Sequence, residues 1–345
     1  MRERNISVKL RIRPQKEITN EVIKVVKNKK AEIEEDRIKF KNHEFFPDEI
    51  FRSDGDYIKL ENGYLAPLFV PNPTFCDQGI IFYEVAQPMI DALWQHESST
   101  LILTGPSESG KRYTLLGTED NPGILKVLFG QIFDVVNQKR LQGQKTKVNF
   151  SAVQIYDEQI QNLARHPASW PSKGLPSHTY RRIEFFDSID ENVFNESEAS
   201  RLLNRAVENQ KEFMEENFVT KEEVHTLFRV KLTQIIGMQA KEATMTFVVM
   251  TASELKHYNG KVISSNRRKT TKDTHQDLLS WLQFLKSPTQ KRPKQSFCAL
   301  TKIMKESFFR SSEICVLGTI FPPSENSATF TFLSDLGSLM KNKEF

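Results

Sequence analysis

The chain has 345 residues, of which 38% are hydrophobic and 27% charged, with 25 phenylalanines. That length holds one large domain or two ordinary ones, and the composition excludes a globally disordered polyelectrolyte. The net charge of +4 is modest, and the three widely spaced cysteines, Cys76, Cys298 and Cys315, fit neither a disulfide framework nor a metal knuckle, so buried, inert thiols are expected.

The start, MRERNISVKLRIRP, is charged and alternating rather than an apolar leader, and no apolar run nears the roughly 18 residues of a membrane span. A soluble, intracellular protein is expected. Residues 6–13 alternate as a half-buried strand closed by Pro14, and 37–46 alternate again. The stretch 52–73, rich in Gly and Pro, reads as a surface insertion. From 76 to 95 apolar residues recur at helical spacing, with a kink or break expected at Pro88. TLILTG (100–105) is a buried strand running into a glycine. A helix over 125–136, a strand over 147–155, and a turn-rich stretch to Pro176 follow. Ser197 is the predicted cap of the next helix. Strands are predicted at 226–236, 243–251 and 314–321, and helices at 272–286, 298–308 and from about Ser327. With no linker between these mixed elements, the prediction is a single α/β domain over residues 1–345.

The loop after the 100–105 strand reads Gly105-Pro-Ser107-Glu-Ser109-Gly110-Lys111-Arg112, which fits G-x-x-x-x-G-K and then fails. In a working phosphate loop the next residue is a Ser or Thr whose hydroxyl ligates Mg²⁺. Here it is Arg112, and Glu108 adds a carboxylate inside the cradle. By itself this match is also compatible with a plain glycine turn.

The longer string GPSESGKRYTLLGTEDNPGIL resembles the kinesin motor domain, whose loop reads GQTGSGKTYTM. Arg11-Ile12-Arg13-Pro14 resembles that family's R-x-R-P. FFPDEIF (45–51), VNFSAVQIYDEQIQNL (148–163), ALTKIMKESF (299–308) and ICVLGTIFP with NSATFTFLSDLGSLMK resemble its further motifs in order. The resemblance implies a central mixed β-sheet flanked by helices on both faces, related to the P-loop NTPases. It also implies that Arg11, Arg13, Pro14, Gly105, Ser107, Ser109, Gly110, Lys111 and Tyr113 are the residues with which ATP or ADP could still be held, weakly and without Mg²⁺.

The switch motifs depart from the family. Its N-x-x-S-S-R-S-H places S-S-R-S on Lys221, Glu222, Glu223 and Val224 ahead of His225, with Asn209 matching the upstream N-R. Its D-L-A-G-S-E falls on residues 249–254, so the Asp behind the metal is Val249, the glycine is Ala252, and only Ser253 and Glu254 are kept. An Arg–Glu pair that favours closure becomes Glu223 facing Glu254, and two carboxylates about 4 Å apart repel by roughly 1–4 kcal/mol. Phosphoryl transfer depends on positioning and charge neutralisation, so losing the Thr, Ser and Asp together implies ATP hydrolysis slowed by many powers of ten. No residue is expected to be catalytic and no metal site is expected.

Residues 256–294 carry ten Lys or Arg against two acids, a local charge of +8. Read alone, this is either a solvated helix face or a surface for a polyanion. In the resemblance it is the segment that lies on acidic tubulin, with Arg267, Arg268, Lys269, Lys272, Lys286, Lys291, Arg292 and Lys294 as microtubule-binding residues. The expected function is a kinesin-like microtubule-binding domain with a degenerate ATPase site, located on cytoplasmic microtubules or the spindle, with an active kinesin subunit as a further partner. The alternative is a divergent but active motor. Nucleic acid and membrane partners are not expected, since aromatic interleaving and an amphipathic anchor are missing. No stalk or coiled coil is read in the sequence, which fits an excised motor domain or a stalkless protein.

Overall fold

The computed structural model describes residues 5–13, 32–33, 38–40, 43–45, 47–53, 57–59, 65–67, 76–169, 175–176, 189–251, 265–286, 298–320 and 332–336. The strands of its main sheet are β1 (Asn5–Ile12), β2 (Glu49–Phe51), β3 (Ser98–Thr104), β4 (Lys145–Tyr156), β5 (Gln159–Asn162), β6 (Leu175–Pro176), β7 (Glu191–Val193), β8 (His225–Ile236), β9 (Gln239–Val249) and β10 (Ser311–Ile320). Across the sheet they run β6-β5-β4-β8-β9-β3-β10-β1-β2, with β7 on β4. The pairs from β9 to β2 are parallel, and β8 is antiparallel to both β9 and β4. The mixed sheet is the expected one.

Parallel strands buried on both faces read as continuous apolar runs, which is why TLILT is legible. In β3, Leu101 and Leu103 join one core and Ile102 the other. The first core is closed by α1 (Gln78–Ile81, Phe82–Ala86 and Gln87–Trp94 in continuous succession), α3 (Ile124–Leu141) and α4 (Glu196–Glu216). The second is closed by α5 (Ser265–Lys286), α6 (Ala299–Arg310) and the helical residues 332–336. Between α1 and α3 lies the short α2 (Lys111–Leu116). Helices thus cover both faces. Among the described residues no helix is long and apolar enough to cross a membrane.

Several predicted boundaries move, each for a local reason. The helix over 76–95 is neither broken nor ended at Pro88; its irregularity is a π-helical turn over Phe82–Ala86, and Pro88 sits in the first turn of the next α segment. A proline has no N–H to give the carbonyl four residues back. That carbonyl, of Glu84, instead accepts Lys9 Nζ at 2.8 Å. The cap of α4 is Asn195 rather than Ser197, its side chain accepting the Glu198 N–H at 2.9 Å. The alternating 37–46 run is two strands, Ile38–Phe40 and His43–Phe45, paired with each other in a small separate sheet. Within 52–73, Tyr57–Lys59 pairs with Leu65–Pro67. The short polar strands β5 and β7 had no apolar period to reveal them. Helix α5 starts at Ser265, seven residues before the predicted start, because its first turns are basic and carry no apolar stripe. All three cysteines are buried, and burial pushes the Cys76 and Cys315 thiols up to about 12.

Candidate functional site: the loop after β3 and the face of α5

β3 ends at Thr104, and the chain turns through residues 105–110 into α2. Gly105 has φ +152°, and a Cβ there would lie 2.2 Å from the Thr319 carbonyl oxygen of β10. Only glycine allows this approach. Glu108, exposed at the loop's tip, and Gly110 are also left-handed, at φ 58° and 103°.

The loop is tied to its own side chains. Lys111 is 5% exposed, and its Nζ donates to the carbonyls of Gly105 (2.9 Å) and Pro106 (2.6 Å). Ser109 Oγ donates to the Pro106 carbonyl at 2.9 Å and lies 2.6 Å from Thr319 Oγ1. Arg13 Nη1 donates to the Glu108 carbonyl, while its backbone N–H bonds Ile320 at 2.8 Å. Ser107 is half-buried in the same turn.

Arg11 is buried, and burial holds its guanidinium below the ordinary arginine value. Its Nη1 donates to Gln78 Oε1 (2.6 Å) and Thr114 Oγ1 (2.8 Å), and its Cζ lies 5.5 Å from the centroid of the partly exposed Tyr113 ring. It therefore bridges α1 and α2. Pro14 lies outside the described residues.

Arg112 turns into the body. Its Nη1 donates to Gln210 Oε1 of α4 at 2.5 Å, and its Nη2 to Thr226 Oγ1 of β8 at 3.2 Å. Gln210 Nε2 donates onward to Gln154 Oε1 of β4 (3.1 Å) and to Thr226 Oγ1 (3.0 Å), and Gln154 Nε2 to Gln161 Oε1 of β5 (2.6 Å). Gln154, Gln210 and Thr226 are buried. The network joins five elements, and sequence reasoning missed it. The signal was present, for a glutamine inside the apolar AVQIY run of a central strand needs a buried partner.

Val249, the last residue of β9, is 2% exposed in the first core and pairs with Leu103. Beyond it the Thr251 N–H donates to His225 Nδ1 at 3.0 Å, joining the end of β9 to the start of β8. Glu223 Oε2 accepts from Thr220 N (2.9 Å) and Oγ1 (3.2 Å), a local cap on the 3₁₀ turn Lys221–Glu223. Ala252 and Glu254 lie outside the described residues, as does the side chain of Glu222, so the expected Glu223–Glu254 opposition is not described. At the positions the resemblance assigns to Mg²⁺, a guanidinium and a buried isopropyl group replace oxygen donors. Those residues do not fit that ion, which is bound through oxygen ligands.

Helix α5 sets Leu278, Trp281, Leu282 and Leu285 into the second core and exposes Gln276 and Ser280 on its other side. Positions 267, 268, 269 and 272 fall in the first turns of this helix, and their side chains lie outside the described residues. Lys286 is half-buried, its ammonium held below the ordinary lysine value by burial and supported by Asp48. Lys291, Arg292 and Lys294 lie outside the described residues.

A sequence model described as the kinesin motor domain matches residues 7–334. Kinesin-like protein KIF28 of Rattus norvegicus is 30% identical over 128 residues, 37% of this chain and 12% of that protein. Kinesin-like protein KIF13B of Homo sapiens is 21% identical over 276 residues, 73% of this chain and 14% of that protein. The chain thus matches only about an eighth of the length of these relatives. Among solved structures, a KIF14 fragment bound to ADP and in complex with a microtubule superposes with a TM-score of 0.73 at 17% identity, covering 98% of this chain and 96% of the other.

Proposed function

Given that the chain belongs to the kinesin motor domain family, we propose that it is a single, non-catalytic microtubule-binding domain whose nucleotide corner has become structural. The observation that carries this reading is Arg112. The position where the family has a hydroxyl for Mg²⁺ holds a cation bonded to Gln210 and Thr226. With Val249 in the core as well, neither position offers the metal an oxygen. The charge neutralisation on which phosphoryl transfer depends is then missing.

The filament role rests on family membership and on the basic segment 256–294, whose net +8 suits an acidic polymer surface. Arg267, Arg268, Lys269, Lys272, Lys291, Arg292 and Lys294 are the residues assigned to that contact. Lys286, half-buried beside Asp48, contributes less.

The test is steady-state ATP turnover with and without microtubules, alongside co-sedimentation. Expected are salt-sensitive sedimentation and turnover at least ~10³-fold below that of an active motor domain assayed in parallel, as loss of metal stabilisation worth several kcal/mol requires. Microtubule-stimulated turnover comparable to that motor would overturn the proposal in favour of a divergent active motor.

A further inference from the structure

The turn between β4 and β5 carries two consecutive non-glycine residues in the left-handed region, Asp157 at φ 49° and Glu158 at φ 62°. A tight hairpin turn of this hand is formed most easily by Asn-Gly. Glu158 is also half-buried. Burial raises its carboxyl pKa, with the Ala299 amide and Lys302 opposing the rise and Asp157 and Asp277 adding to it. Backbone strain and desolvation thus coincide on one side chain.

That side chain reaches another element. Glu158 Oε2 accepts the N–H of Ala299, the first residue of α6, at 2.6 Å. The preceding residue, Cys298, supplies no side-chain cap to this helix. Asp277 of α5 approaches the same end, its Oδ2 accepting from Cys298 N (3.4 Å) and Thr301 Oγ1 (3.3 Å). The first N–H groups of a helix lack intrahelical partners, and its dipole favours negative charge there. Two carboxylates, one from the β4–β5 turn and one from α5, supply both.

We propose that Glu158 is a positioning residue for the filament-binding face. It fixes the start of α6 against the end of β4, and through Asp277 the same joint holds α5, so that the basic stripe keeps one orientation relative to the sheet. This rests on the microtubule-binding reading above.

The experiment compares the whole chain with its Glu158→Ala and Glu158→Gln variants by microtubule co-sedimentation and amide hydrogen exchange. Expected for Glu158→Ala is an affinity about fivefold lower or more, the lower range of coupling between sites, with faster exchange across residues 299–301. Glu158→Gln, which keeps an acceptor oxygen, restores most of both. Asp277→Ala is the second variant should Glu158→Ala not fold, with a loss in the same direction expected. Wild-type binding combined with either alanine variant, folded and indistinguishable from wild type, overturns this inference alone. A wild-type chain that ignores microtubules removes the filament reading and this inference with it.

Discussion

The corner around α2 and the helix α5 both carry cations, and the proposed function gives the two sets different uses. In the corner, Arg11, Arg13, Lys111 and Arg112 all donate to the protein's own oxygens, joining α1, α2, α4, β8 and the loop after β3. On α5, Arg267, Arg268, Lys269 and Lys272 stand in the first turns, ahead of the exposed Gln276 and Ser280. A guanidinium already engaged inside the fold must lose its partners before it can neutralise a phosphate, whereas a cation in solvent meets a polyanion with little reorganisation. Retained basic residues therefore do not by themselves imply retained chemistry.

The sharpest way to break this contrast is to return the family's carboxylate to the corner. Val249→Asp buries an uncompensated charge beside Leu103 and is expected to destabilise the fold by about 3–5 kcal/mol, read by urea unfolding. A variant as stable as wild type would mean that the corner still accommodates metal-site chemistry. Arg112→Ala comes next, leaving Gln210 and Thr226 short of a donor. It should lose about 1–3 kcal/mol, and Arg112→Thr should not restore ATP turnover.

On the other side of the comparison, reversing charge at Lys291, Arg292 and Lys294 together should weaken microtubule co-sedimentation about tenfold, roughly 1.4 kcal/mol, and flatten its salt dependence. Folding should be unaffected, as circular dichroism would report. The smallest effect concerns Glu158, whose raised carboxyl pKa arises first from burial. The folded state then binds more protons than the unfolded one above the ordinary Glu value, so this group's contribution to stability falls as pH rises through that window. Glu158→Gln should consequently gain on wild type between about pH 4 and pH 7; thermal unfolding at both pH values tests this, and a constant difference would discount the buried charge.

Much of the sheet was legible because its code is short-ranged. Alternation marks β1, and short runs rich in apolar residues mark β3, β9 and β10, whose two-sided burial needs no knowledge of partners. The loop after β3 was legible too, through glycines that no other residue could replace at Gly105. What stayed hidden was polar. β5 and β7 pair through backbone groups that every residue possesses, and the first turns of α5 have no apolar stripe. The candidate site was read as a set of ligand positions with the wrong residues in them. Where those residues had gone instead was not readable.

The sequence by itself determined the family motifs and their order, the replacement of the loop hydroxyl by Arg112, the apolar Val249, and the +8 segment. Only the tertiary structure decided that Arg112 meets Gln210 and Thr226, 98 and 114 residues away, and that Glu158 meets Ala299 at a separation of 141. Apolar patterning acts on whichever surface is nearest, so it can be read residue by residue. A hydrogen bond needs a particular atom within about 3 Å, and sheet register and helix packing across the whole chain select which atom that is.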